Sequence, residues 1–189
     1  MIAEKGYPVE VINTTTADCY ILELHRIPHG RFPTLEQKPP VLLLHGILGS
    51  SADWVMGSPE QSLGFILADK GYDVWLGNIR GNTYSRNHCS LDPDETAFWE
   101  FSFDEVGSYD IPAMIDMIKL KTEAKKIFYV GFSMGTTSFF AMANDKEKYL
   151  EDLALVSLMA PVAYVDHMIS PLKYIAPFTN QIDVSIHII

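Results

Sequence analysis

Apolar positions along the chain follow two rhythms. Tyr20, Leu22 and Leu24 alternate with Ile21, Glu23 and His25, the period of a half-buried strand. Val41, Leu42, Leu43 and Leu44 form a continuous apolar run, as expected of a strand buried on both faces, and similar runs follow at 72–76, 127–130 and 153–159. Helical patterns lie between them. Ser58, Pro59 and Gln61 predict a capped helix start, with Leu63, Ile66 and Leu67 on its buried face. Ser102 and Glu105 form a second capping box, and Ile111, Met114, Ile115 and Ile118 keep helical spacing. Residues 28–40 are rich in proline and turn formers and connect two apolar runs. Buried strands alternating with amphipathic helices predict an α/β domain: a mostly parallel sheet covered on both faces, with an antiparallel hairpin at the N-terminus.

Composition narrows the functional classes. At 189 residues the default is one domain, and 48% hydrophobic with 20% charged residues is the make-up of a globular core, not of a disordered tail. A net charge of −10 argues against nucleic acid or anionic lipid as the main partner. The longest mostly apolar run, residues 154–165, is too short for a transmembrane segment and contains Pro161. The first thirty residues have no apolar signal-peptide core, so no secretory signal is expected in the chain as written. Cys19 and Cys89 are too few for a disulfide framework or a metal cage.

The strongest chemical signal is Gly131-Phe132-Ser133-Met134-Gly135, which follows an apolar strand and precedes a helix expected over 136–144. Strand, G-x-S-x-G, helix is the context of a nucleophile elbow, in which the serine sits on a tight turn that excludes side chains at the flanking glycines. Ser133 is therefore the candidate nucleophile, with Gly131 and Gly135 as the elbow glycines. A second signal, His45-Gly46-Ile47-Leu48-Gly49, directly follows the strand at 41–44. A strand-to-helix loop at that point donates one backbone N–H to an oxyanion hole, and the residue after the nucleophile donates the other. These donors are Ile47 and Met134, whereas His45 reads as a structural hydrogen-bonding residue. His25 and His29 have i, i+4 spacing, but Pro28 breaks any helix that would aim both at one metal. With no H-E-x-x-H, Walker or G-x-G-x-x-G motif, neither a metal nor a nucleotide cofactor is expected. Asn13-Thr14-Thr15 is an N-glycosylation sequon. Trp75, Trp99, Phe101 and Phe103 are candidates to line a pocket for an apolar ligand, with core packing the commoner role for such residues. Arg80, just after a strand, is expected to organise a loop.

Several blocks together resemble the acid lipases, the gastric, lysosomal and related animal lipases of the α/β-hydrolase fold. They are Tyr20-Ile21-Leu22 with His25-Arg26-Ile27-Pro28, Leu44-His45-Gly46-Ile47-Leu48, the stretch from Asp73 through Asn78-Ile79-Arg80-Gly81-Asn82 to Ser85, the stretch from Phe98 to Glu105, Tyr109-Asp110-Ile111-Pro112-Ala113, and the elbow. The resemblance implies a serine ester hydrolase acting on neutral lipids, triacylglycerol or cholesteryl esters, through an acyl-enzyme. It also implies a secreted or lysosomal location. Two positions depart from the family: Met134 stands where glutamine is common, and Cys19 where a turn glycine is usual. A same-fold epoxide hydrolase or dehalogenase is disfavoured, because those enzymes carry Asp where Ser133 stands.

In this fold the acid and the histidine of the triad follow the serine in the chain. The resemblance places both beyond residue 189. Residues 1–160 are then a partial core and 161–189 the beginning of a cap, with the C-terminal strands and most of the cap missing. The carboxylates Asp145, Asp152, Asp166 and Asp183 and the histidines His167 and His187 sit in no matching motif, although Asp166 could imitate an alternative acid position. Two readings result: an ester hydrolase whose nucleophile and oxyanion hole lie in this chain, or a catalytically inactive lipase-like product or interaction module. In either case the strand at 153–159 is expected to form an open sheet edge able to self-associate.

Overall fold

The structure is a computed structural model that describes residues 1–32 and 38–164. Strands β1 (Glu10–Thr15) and β2 (Tyr20–Ile27) form the expected antiparallel hairpin, with Glu10 opposite Arg26 and Thr15 opposite Ile21. The chain continues through β3 (Pro40–Leu44), α1 (Leu63–Asp69), β4 (Asp73–Gly77) and the short β5 (Asn87–His88). Helix α2 (Phe103–Glu105) widens into a π-helical turn, Val106–Asp110, which runs on into α3 (Ile111–Thr122). Strand β6 (Ile127–Phe132), helix α4 (Met134–Asp145) and β7 (Leu153–Met159) complete the order. In space the strands lie β1-β2-β4-β3-β6-β7, with β5 paired to β2. Strands β4, β3, β6 and β7 are mutually parallel.

The apolar run of β3 explains why the sheet is central. Its alternate side chains enter different layers: Leu42 and Leu44 pack with Trp75, Tyr129, Ile111, Met114, Ile115, Ile118 and Phe139 under α3 and α4. Val41 and Leu43 pack on the other face with Val74, Leu76, Trp54, Phe65 and Ala68 under α1. The four residues with helical spacing in α3 are all fully buried. The Ser102 capping box also forms: the Ser102 N–H donates to the Glu105 carboxylate and the Asp104 N–H to the Ser102 hydroxyl.

One expectation is corrected. Ser58 does not start α1. Its carbonyl instead accepts from the N–H groups of Gln61 and Ser62 in an isolated turn, and the helix begins at Leu63. Its buried face is Gly64, Phe65 and Ala68, while Leu63, Ile66 and Leu67 are only half-buried. The reason is close approach: a Cβ at Gly64 would lie 2.9 Å from the Trp54 carbonyl oxygen, so the helix settles with its glycine against that backbone. Residues 165–189, with Asp166, His167, Asp183, His187 and most of the expected cap, lie outside the described residues.

Candidate active site

Strands β3 and β6 are neighbours with Leu44 opposite Gly131, so the segments that follow them leave the same carboxyl edge of the sheet side by side. That edge is where open parallel sheets place their ligands. A Cβ at Gly46 would lie 3.0 Å from the Ser133 Cβ, so the loop carrying Ile47 passes directly against the elbow. Ile47 itself is 62% exposed.

Ser133 has φ 51° and ψ −114° immediately before α4 begins at Met134. A non-glycine residue in such a region stores about 1–3 kcal/mol, which the surroundings must offset. Here its backbone is held from both sides. The Ser133 N–H donates to the Met159 carbonyl at the end of β7 (3.0 Å), and its carbonyl accepts from the Thr136 N–H (2.8 Å) and hydroxyl (2.6 Å). The glycines provide the room. A Cβ at 131 would lie 2.8 Å from the Gly135 carbonyl oxygen, and one at 135 would lie 2.6 Å from that of Leu44. Any side chain there would force strand and helix apart. Ser133 thus sits half-buried at the N-terminus of a twelve-residue helix, whose dipole places partial positive charge at the Met134 amide. Ile47, Phe132 and Met159, each substantially exposed, belong to the segments that meet at Ser133.

His45 is not aimed at Ser133. Its buried ring donates from Nδ1 to the Gly46 carbonyl (2.8 Å) and accepts at Nε2 from the Ile79 N–H (3.3 Å) and the Asn82 amide (3.1 Å). Both nitrogens are occupied by structure, and burial pushes its pKa below the ordinary imidazole value. The ring fastens the loop after β3 to the loop after β4. Asn78 continues the brace: its carbonyl oxygen accepts from the Ser51 N–H and from Asn82, while its amide donates to the Glu23 carbonyl.

Arg80 anchors the same loop from below. Its guanidinium donates to Asp110 and to Asp18, its backbone N–H donates to the second Asp110 oxygen (2.9 Å), and it lies 4.0 Å from the Tyr20 ring centroid. Burial pushes the Asp110 carboxyl up to about 6, against the lowering effect of Arg80. The more open Asp18 is held below the usual carboxylate range by its bonds from Arg80 and Thr16, which outweigh its own burial. Sequence inspection missed both carboxylates as partners of Arg80. For Asp110 the signal was its place in the Tyr109-Asp110-Ile111-Pro112-Ala113 block.

Other candidates fall elsewhere. Trp75 is fully buried beneath the Arg26 guanidinium and lines no pocket, whereas Trp99 is 40% exposed beside Arg86. His25 bonds Ser51 and Glu23 while His29 bonds the Gly30 carbonyl, so the two do not converge. Among the described residues no group of His, Cys, Asp or Glu is arranged to hold a metal, and no helix is long and apolar enough to cross a membrane. Asn13 is exposed on the edge strand β1. A surface groove of about 540 Å³, lined by Thr14, Tyr109, Asp116 and Tyr149 among others, does not include Ser133.

Comparison with known proteins agrees with this architecture. A family described as the partial alpha/beta-hydrolase lipase region matches residues 1–58, and the alpha/beta hydrolase fold family matches residues 39–181. Gastric triacylglycerol lipase of Bos taurus is 48% identical over 169 residues, covering 88% of this chain and 43% of the relative. Lipase member K of Homo sapiens is 42% identical over 184 residues, covering 96% and 46%. The chain therefore spans less than half the length of these relatives. Among solved structures, an esterase from Thermogutta terrifontis superposes with a TM-score of 0.55 at 22% identity, covering 86% of this chain and 48% of that one. The Pyrococcus furiosus esterase Pf2001 superposes with a TM-score of 0.63 at 16% identity, covering 94% and 66%. At such identities the likeness concerns the fold alone. The chain belongs to the alpha/beta hydrolase fold family, and its first 58 residues match the partial alpha/beta-hydrolase lipase region.

Proposed function

We propose that this chain carries the nucleophile and oxyanion hole of a serine ester hydrolase acting on neutral lipids, triacylglycerol or cholesteryl esters. The observation that carries this reading is the strained Ser133, set at the N-terminus of α4 with the Gly46–Ile47 loop against it. The Ser133 hydroxyl attacks the ester carbonyl, and the Ile47 and Met134 amides hold the oxyanion of the tetrahedral intermediate. Collapse expels the alcohol and leaves an acyl-serine, which water then hydrolyses. The apolar side chains of Ile47, Phe132 and Met159 give the reacting edge a surface suited to acyl chains rather than to charged esters. No cofactor is required by these steps. The base that accepts the Ser133 proton is assigned to residues outside those described. Secretion or lysosomal residence goes with this reading, and the exposed Asn13 would then be a glycosylation site.

The test is Ser133→Ala in the protein that contains this chain. Triolein hydrolysis should fall on the order of 10⁶-fold, the scale for a lost triad serine, and labelling by a fluorophosphonate should vanish while circular dichroism is unchanged. Undiminished hydrolysis by the alanine variant would exclude Ser133 as nucleophile.

A further inference from the structure

The β1–β2 hairpin carries a side chain that its backbone disfavours. Ala17, Asp18 and Cys19 form a three-residue loop, closed by the Cys19 N–H donating to the Thr16 carbonyl (2.9 Å) and the Thr16 N–H donating to that of Tyr20 (2.9 Å). Loops of this length end on a left-handed residue, the place of glycine. Here Cys19 occupies it at φ 76°. A Cβ in that region is strained, so a cysteine there calls for a compensating contact.

That contact stands directly opposite. Strand β5 pairs antiparallel with β2, Tyr20 facing His88 and Ile21 facing Asn87. One step further Cys19 faces Cys89, and the Cys89 N–H donates to the Cys19 carbonyl at 3.0 Å. Residues directly opposed in an antiparallel pair have Cα atoms about 4.5–5.5 Å apart. A disulfide needs about 4.4–6.8 Å, so no backbone movement is required. The neighbouring Cys89 pushes the Cys19 thiol above its ordinary value, as two thiols on facing residues do. Cys19 is half-buried and Cys89 exposed, so a dissolved disulfide can reach the pair.

We propose that Cys19 and Cys89 are a disulfide site that staples the hairpin turn to the β5 segment. One cysteine thiolate attacks a sulfur of a small disulfide such as oxidised glutathione, releasing one glutathione thiol and forming a mixed disulfide. The second cysteine thiolate then displaces the other glutathione. The pair loses two protons and two electrons, and one glutathione disulfide becomes two thiols. The bridge closes a loop containing β2, β3, α1 and β4. It also clamps the turn whose Asp18 holds Arg80, and to which His88 already bonds through the Asp18 carbonyl (2.9 Å).

The experiment is peptide mass mapping, without reduction, of the protein equilibrated with oxidised glutathione. The expected product is a linked peptide pair about 2 Da lighter than its two thiol peptides together, with neither cysteine open to maleimide before reduction. Cys89→Ser should expose Cys19 to maleimide and lower the non-reducing thermal midpoint by about 5 °C or more. Both cysteines remaining free, a bridge between two molecules, or equal midpoints for the wild type and Cys89→Ser would each overturn the proposal.

Discussion

Replacing Asp110 by asparagine should cost far more stability than the same change at Asp18, although both carboxylates bind one guanidinium. Asp110 is fully buried and accepts two bonds from Arg80, from Nε (2.8 Å) and the backbone N–H (2.9 Å), with Nη2 in ion-pair contact at 2.7 Å. An asparagine keeps one acceptor oxygen but turns an NH₂ group toward a donor, so at least one bond becomes a donor–donor clash. The Arg80 side chain is 1% exposed and cannot turn to water. Breaking a buried pair from one side costs about 3–5 kcal/mol, and the surviving Asp18 contact points to the lower end, about 3 kcal/mol. Asp18 is 28% exposed, so water replaces part of what asparagine loses there, for a cost of about 1–2 kcal/mol. Urea unfolding of the two variants at neutral pH, followed by tryptophan fluorescence, measures both losses. Because Ile79 and Asn82, which hold His45, flank Arg80 in the chain, Asp110→Asn should also slow ester hydrolysis. A loss below about 1 kcal/mol for Asp110→Asn, or one no larger than for Asp18→Asn, would refute the view that Arg80 is a buried charge dependent on this partner.

Asp18 also predicts a pH dependence. Against its own burial, its bonds from Arg80 and Thr16 hold its folded carboxyl below the ordinary 3.8, so between these values the unfolded state binds more protons than the folded one. The stability it contributes is therefore present above the ordinary carboxylate range and is lost as pH falls through the folded pKa. Urea midpoints of the wild type and Asp18→Asn should converge as the pH is lowered from about 7 toward about 3, and a constant difference would contradict this. A polypeptide of residues 1–189 alone should hydrolyse triolein no faster than background, because no described histidine or carboxylate hydrogen-bonds Ser133. Robust turnover with a burst would instead place the base within 165–189. The same polypeptide should self-associate, since β7 has no strand partner on its outer side among the described residues and Leu155 is 57% exposed there. Size-exclusion chromatography giving a monodisperse monomer would rule that out.

Local patterns in the sequence determine much of this molecule. The run at 41–44 is apolar at every position because β3 is covered on both faces, and the spacing from Ile111 to Ile118 is helical because one face of α3 is buried. The elbow was legible for the same reason: the turn, the helix dipole and the close approach of Gly131 and Gly135 all act within a few residues of Ser133. The start of α1 was less so, because Ser58 and Ser62 are both competent caps and the packing of Gly64 against Trp54 chooses between them. Contacts distant in sequence left no such trace. Asp18, Arg80 and Asp110 come together only when β2, β4 and the π-helical turn are stacked, and His45 finds Ile79 and Asn82 only because β3 and β4 lie side by side. Cys19 meets Cys89 through the register of β2 with β5. Periodicity records which residues turn inward, but the pairing of buried polar groups depends on which elements become neighbours, and that is decided by the tertiary packing.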